Sequence, residues 1–193
     1  MDLVLASGSP RRAELLKLLG VPYRVVVSEV KEGQPRSPWV QWVQEVACLK
    51  ARAVAASTGG IVLAADTIVV KEGRVLGKPA DEQEAEKMLT FLSGEVHEVL
   101  TGICVVNCLT KDVWQDVEVT KVYFRPLTVQ EIKAYLVSGE SLDKAGAYGI
   151  QGLGSLLIEK IEGCYYNVVG LPLIKTMTLL RKCGVEILGK TSY

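Results

Sequence analysis

A short apolar run, Leu3–Ala6, ends in Ser7-Gly8-Ser9-Pro10-Arg11-Arg12 and leads into Ala13-Glu14-Leu15-Leu16. Ser9-Pro10 reads as an N-cap followed by the first helical residue. Arg11 and Arg12 then fall in the first helical turn, the positive end, where an exposed cation costs roughly 0.3–1 kcal/mol. A strand, glycine and serines, then a helix N-terminus is an arrangement that turns backbone N–H groups toward an anion. Ser7 and Ser9 add hydroxyls, and Arg12 can make charge-assisted bonds to phosphate oxygens. A bound phosphate would reverse the dipole penalty. An ordinary capped helix with two solvated arginines accounts for the same residues without a ligand, and the GxxxxGK[ST] pattern of a Walker A loop is absent.

Asp66 is the one carboxylate in the most apolar stretch, Ile61–Val70. A carboxylate there is costly to bury unless it is paired or binds a cation; the plainer alternative is a strand residue at the solvent end of a sheet. Lys78, between Gly77 and Pro79, suits a point-charge phosphate contact. Leu142–Gly154, with Asp143-Lys144 and Gly146, Gly149, Gly152 and Gly154, allows close backbone approach to a ligand or makes a tight connection. His97 is the sole histidine, which excludes a histidine-rich metal site and leaves chemistry to carboxylates, Lys, Arg and a metal held by oxygens. The five cysteines are odd in number and lack a CxxC pair, so they read as reduced thiols; Cys104 and Cys108 read as small buried hydrophobes in a strand.

The elements that must position these groups alternate. After the strand at Leu3–Ala6, a helix carries Leu15, Leu16, Leu18 and Leu19 and stops at Gly20. Tyr23–Ser28 is strand-like, and Glu29–Pro38 is a polar loop. Ser37-Pro38 repeats the cap signature before a helix over Trp39–Ala56, with Val40, Val43, Ala47 and Val54 at helical spacing. Lys71–Arg74 reads as a hairpin turn, Asp81–Leu92 as a helix, and Val96–Asn107 with Val113–Phe124 as a second hairpin. Thr128 and Glu131 have capping-box spacing and open a helix to Val137. A further hairpin turning at Glu162-Gly163 and a last helix over Leu173–Lys182 complete the order. Together these predict an α/β fold with a mixed sheet, because βα units coexist with hairpins.

Composition narrows the function. A chain of 193 residues that is 49% hydrophobic can bury a real core and fits a single domain over 1–193. With 22 basic and 22 acidic residues, any anion site must be local, which argues against general nucleic-acid or membrane-surface binding. Asp2 stands where a leader would carry basic residues, and no run is long enough to span a membrane. The expected setting is therefore the cytoplasm. The oligomeric state stays open, a homodimer included.

Four separated segments, LASGSPRRAELL, ADTIVV with LGKP, LSGEVHEVLTG, and DKAGAYGIQGLG with VVGLP, resemble the Maf family of nucleoside triphosphate pyrophosphatases over essentially the whole chain. The resemblance implies an elongated mixed α/β fold with flanking helices and a cleft between two lobes, similar to the inosine triphosphate pyrophosphatases. It implies hydrolysis of a nucleoside triphosphate to the monophosphate and pyrophosphate with a divalent metal, Mg²⁺ or Mn²⁺. By position, it puts the proton acceptor on Asp66, phosphate contacts on Ser7, Arg11 or Arg12, Lys50 and Lys78, and metal ligation on Glu32 and Asp66. The segments ADT and KAGAYGIQG resemble the dTTP/UTP branch, in which Arg12, Thr67 and Gln151 would set base choice. Two other readings use the same residues: a nucleotide-binding regulator of cell division without turnover, and a house-cleaning enzyme for modified triphosphates. Without a bound triphosphate, Arg12→Ala is expected to leave the helix no less stable, because a charge opposed by the dipole is removed.

Overall fold

The computed structural model describes residues 2–189. Strand β1 (Leu3–Leu5), helix α1 (Pro10–Lys17), β2 (Tyr23–Val25), α2 (Trp39–Ala55), β3 (Ile61–Lys71) and β4 (Arg74–Leu76) come first. They are followed by α3 (Glu82–Leu92), β5 (Val96–Asn107), β6 (Val113–Phe124), α4 (Val129–Val137), β7 (Ile158–Glu162), α5 (Tyr165–Val169) and α6 (Leu173–Lys182). The sheet runs β2-β1-β3-β5-β6-β7, with β4 on β3. It is mixed: β1 is parallel to β2 and β3, whereas β4 and β7 are antiparallel to their partners. Among the described residues the chain forms two compact units, one of residues 2–66, 101–118 and 170–189, the other of 67–100 and 119–169.

In the first unit α2 lies on the sheet. Ala47, Ala51 and Val54 are joined in one core with Val4, Ala6, Val62, Ala64, Cys104 and Val106. Small residues line this seam, and Gly102 on β5 closes it: a Cβ there would meet the Val43 carbonyl and the Gln44 nitrogen, so helix and strand backbones touch directly. Side chains alternate across a strand, so the face of β3 that offers Val62 and Ala64 to α2 offers Asp66 next.

In the second unit Ala85, Met88, Leu89 and Leu92 of α3 and Ile132, Tyr135 and Leu136 of α4 share a core with Val99, Val122 and Phe124. Both helices start as their sequences dictate. Asp81 Oδ1 accepts from the Glu84 N–H at 2.8 Å, and Thr128 and Glu131 form the full capping box.

Two local expectations fail. Pro38, not Ser37, is the N-cap of α2, with extended dihedrals and no hydroxyl to cap with. The hairpin expected at Glu162-Gly163 does not form either. β7 pairs back onto β6, and the chain beyond Gly163 turns into α5. There the Cys164 N–H donates to Thr120 Oγ1 at 3.0 Å, and the buried Asn167 amide donates to Thr120 Oγ1 and the Val99 carbonyl, so side chains take the bonds that a strand partner would have made.

Candidate active site

Asp66 is 7% exposed, midway along β3. Its Oδ1 lies 2.7 Å from Lys50 Nζ, which reaches down from α2. The same ammonium is 2.7 Å from Glu32 Oε1, on the loop before α2. The Lys50 side chain is only 12% exposed, so this is a largely buried pair extended by one half-exposed carboxylate. Such a pair is matched rather than intrinsically favourable: removing one partner strands the other charge at a cost of about 3–5 kcal/mol.

The start of α1 meets this cluster. Ser9 is the N-cap and Pro10 the first helical residue, as the sequence predicts, but the Ser9 side chain makes no capping bond. The Ser9 N–H donates instead to the buried Ser7 Oγ at 3.2 Å. Arg12 Nη1 donates to the same hydroxyl at 3.4 Å, and its Nε to the Gly170 carbonyl at 2.9 Å. Burial lowers the Arg12 pKa, the Asp66 and Glu32 carboxylates raise it, and neighbouring Arg11 lowers it. The cation at the positive end of a helix thus has carboxylates opposing the helix field before any ligand arrives. The picture of two solvated arginines is corrected for Arg12, which is half-buried and bonded to a carbonyl 158 residues away. These bonds run against the expectation that Arg12→Ala costs no stability, since the substitution would remove both.

The first unit therefore brings together Ser7, Arg12, Glu32, Lys50 and Asp66, with Arg11 next to Arg12 on α1. The other sequence candidates belong to the second unit. Thr67 is half-buried on β3, Lys78 is exposed after β4, and Gln151 is exposed in the glycine-punctuated loop. That loop is ordered, with 3₁₀ turns at Ala145–Ala147 and Gly152–Leu157, and the Gly146 N–H donates to the Gly77 carbonyl at 3.0 Å.

Lys50, expected at a phosphate, is found on Asp66 and Glu32; Val43, Ala47, Lys50 and Val54 share one helical stripe, and a lysine on an apolar face is the sequence signal of a buried cation with a carboxylate partner. The Gly170 carbonyl, which accepts from Arg12, has no such signal beyond the glycine itself.

Chemically, the cluster offers cations and N–H groups for anionic oxygens and a fixed carboxylate beside them. Among the described residues no three His, Cys, Asp or Glu side chains group to hold an ion by themselves. Glu32 and Asp66, two hard oxygen ligands on one ammonium, fit a Mg²⁺-type ion whose remaining positions come from water and substrate phosphates. Among the described residues no helix is long and apolar enough to cross a membrane.

The fold is shared with a HAM1 protein from Coxiella burnetii, at TM-score 0.56 and 17% identity over 94% of this chain and 99% of that one. The Ham1 protein of Staphylococcus aureus gives TM-score 0.50 and 18% identity over 82% and 80%. A family model for Maf-like protein matches residues 2–183, and the chain belongs to that family. Among its relatives, a dTTP/UTP pyrophosphatase of Moorella thermoacetica is 52% identical, covering 97% of this chain and 98% of its own. A dTTP/UTP pyrophosphatase of Syntrophomonas wolfei subsp. wolfei is 50% identical over 95% and 98%.

Proposed function

We propose that this chain hydrolyses dTTP and UTP to the monophosphate and pyrophosphate. The observation that carries the reading is Asp66, a buried carboxylate fixed by Lys50 beside an arginine-bearing helix start. Relatives of about 50% identity named for this activity support the same substrates.

A triphosphate repels an incoming nucleophile, so the site must first neutralise phosphate oxygens. Arg12, Lys50, Ser7 and the α1 N–H groups do this, with Arg11 adding to the field. Lys50 has the pivotal place, since the ammonium that holds Asp66 and Glu32 can turn part of its bonding to a phosphate oxygen. Asp66, its orientation set by Lys50, then accepts the proton of a water aligned with the α-phosphorus. Glu32 and Asp66 would hold Mg²⁺ or Mn²⁺, which when bound neutralises phosphate charge and makes pyrophosphate a better leaving group. Positioning and electrostatics do the rest, as in phosphoryl chemistry generally.

The remaining assignments are Lys78 on phosphate and Thr67 and Gln151 on the base. Uracil and thymine present an acceptor–donor–acceptor edge, and a Gln amide can match two adjacent groups of it. Cytosine reverses that pattern. Free nucleotides of the cytoplasm, rather than nucleic acid or membrane, are the proposed partners.

Phosphorus NMR of the products tests the reaction. With dTTP or UTP and Mg²⁺ or Mn²⁺, the signals should be the monophosphate and pyrophosphate. Orthophosphate with a diphosphate would place the cleavage at the wrong bond, and no turnover would return the chain to nucleotide binding alone.

A further inference from the structure

Gln151 occupies the N-cap of the 3₁₀ helix at Gly152–Leu157, yet its side chain makes no capping bond. The N–H groups at that helix start are taken from outside. Glu140, just beyond α4, accepts the Leu153 N–H on Oε1 at 3.2 Å and the Gly154 N–H on Oε2 at 3.3 Å. The fit is close. Gly152 has φ +65°, and a Cβ there would stand 2.6 Å from Glu140 Oε1. A Cβ on Gly154 would run into the Gly149 carbonyl, so the two ends of the segment holding Gln151 touch through backbone alone.

The charge on Glu140 is aimed at these amides rather than spent on a neighbouring cation. Lys144 Nζ, the nearby ammonium, donates to the Glu140 main-chain carbonyl and to Asp143 Oδ1, both at 2.5 Å, and its stem lies over Gly149. A carboxylate accepting two backbone N–H groups makes charge-assisted bonds, stronger than an amide carbonyl at an N-cap would. The side chain best placed to compete for those donors is the one at the N-cap itself.

We infer that Glu140 is a positioning residue: by capping Gly152–Leu157 from outside, it keeps the Gln151 amide turned outward and available to a nucleotide base. This rests on the proposed role of Gln151 in base choice. Without the Glu140 carboxylate, the Gln151 carbonyl folds back onto the Leu153 and Gly154 amides, and the base loses its partner. Substituting Gln at 140 gives an intermediate case, because one amide oxygen faces two donors and its NH₂ opposes one of them.

The test is a double-mutant cycle on base selectivity. kcat and KM are measured for UTP and CTP in the wild type, Glu140→Ala, Gln151→Ala and the double variant, with a melting curve for each. Glu140→Ala should shrink the UTP-over-CTP ratio of kcat/KM at least about fivefold, mainly through KM, the size of one unmatched polar group. In the Gln151→Ala background the same change should move the ratio by less than about twofold, the signature of coupled residues. Glu140→Gln should fall between and serves if the alanine variant does not fold. A lowered melting temperature with an unchanged ratio would make Glu140 a brace of the fold and overturn the inference, as would additive effects in the double variant. A wild type that hydrolyses UTP and CTP equally would instead remove the base reading of Gln151, and the inference with it. The two failures differ because the second appears before any variant is made.

Discussion

Lys50 and Asp66 form a buried ion pair beneath α2, 2.7 Å apart; His97 and Tyr148, 2.6 Å apart in the other unit, are buried as a pair of neutral groups. His97 is 2% exposed, and its pKa is pushed down to about 4, chiefly by burial and then by the Lys71 charge. Burial, with a lesser push from Tyr135, drives the Tyr148 hydroxyl upward. The rings of His97, Tyr148 and Phe124 stack edge to face with centroids 4.7–5.3 Å apart, the packing of an aromatic core. Around Phe124 the ionisable pair is held neutral by burial, with the Lys71 charge nearby. Beneath α2 opposite charges are buried together instead, an arrangement in which an anionic ligand would replace one partner of the pair.

The sharpest way to break this contrast is at its charged side. Lys50→Met leaves Asp66 buried without its ammonium and should lower unfolding free energy by about 3–5 kcal/mol at neutral pH, read by urea denaturation. Asp66→Asn should cost less stability, because Lys50 retains Glu32, yet reduce kcat at least ~100-fold, the scale of a lost general base. Equal stability losses would mean that the two ends of the pair are interchangeable, and a near-normal rate in Asp66→Asn would take Asp66 out of the chemistry.

The neutral side is sharpened by pH. His97 has an ordinary pKa of about 6.5 when unfolded and about 4 when folded. Between those values the unfolded chain binds the extra proton and the folded one does not, so stability falls as pH drops through 6.5 and the loss is complete below about 4. By pH 5 this group alone should remove about 2 kcal/mol. The double variant His97→Phe/Tyr148→Phe keeps the ring packing and should lose this part of the pH dependence. An unchanged slope would locate the acid sensitivity elsewhere.

Arg12→Ala is the smallest of these effects. Loss of one charge-assisted phosphate contact should raise KM for UTP about tenfold, and loss of the bonds to Gly170 and Ser7 should cost about 1 kcal/mol of stability. An unchanged KM would leave Arg12 as a purely structural tie.

Much of this was legible beforehand, and unevenly. Long periodic elements were plain, and so was the Thr128/Glu131 capping box, because apolar spacing and that pair act within a few residues; the cap expected at Ser37 was not found. Asp66 stood out because a carboxylate in an apolar strand demands a partner. The partner did not stand out, since the contact with Lys50 depends on how α2 lies across the sheet. The same holds for Arg12 with Gly170, and for α5, where the pull of Thr120 on Cys164 and Asn167 outweighs a β-branched stretch that reads as strand. Short-range signals survive in sequence, whereas bonds across 16 to 158 residues are products of the assembled fold.

Gly102 gives this site something like a machinist's hard stop. The height of α2 above the sheet is set by main chain resting on main chain, not by the bulk of the residues between them. Side chains in that seam can therefore be exchanged for others of similar volume, at some loss of stability, while the reach of Lys50 to Asp66 stays the same. A single methyl group at 102 does the opposite. It shims the helix outward, and a shift of about 1 Å in a catalytic group can cost ~100-fold in rate. The tolerance of the site to drift is thus concentrated in one position that makes no contact with any reacting atom.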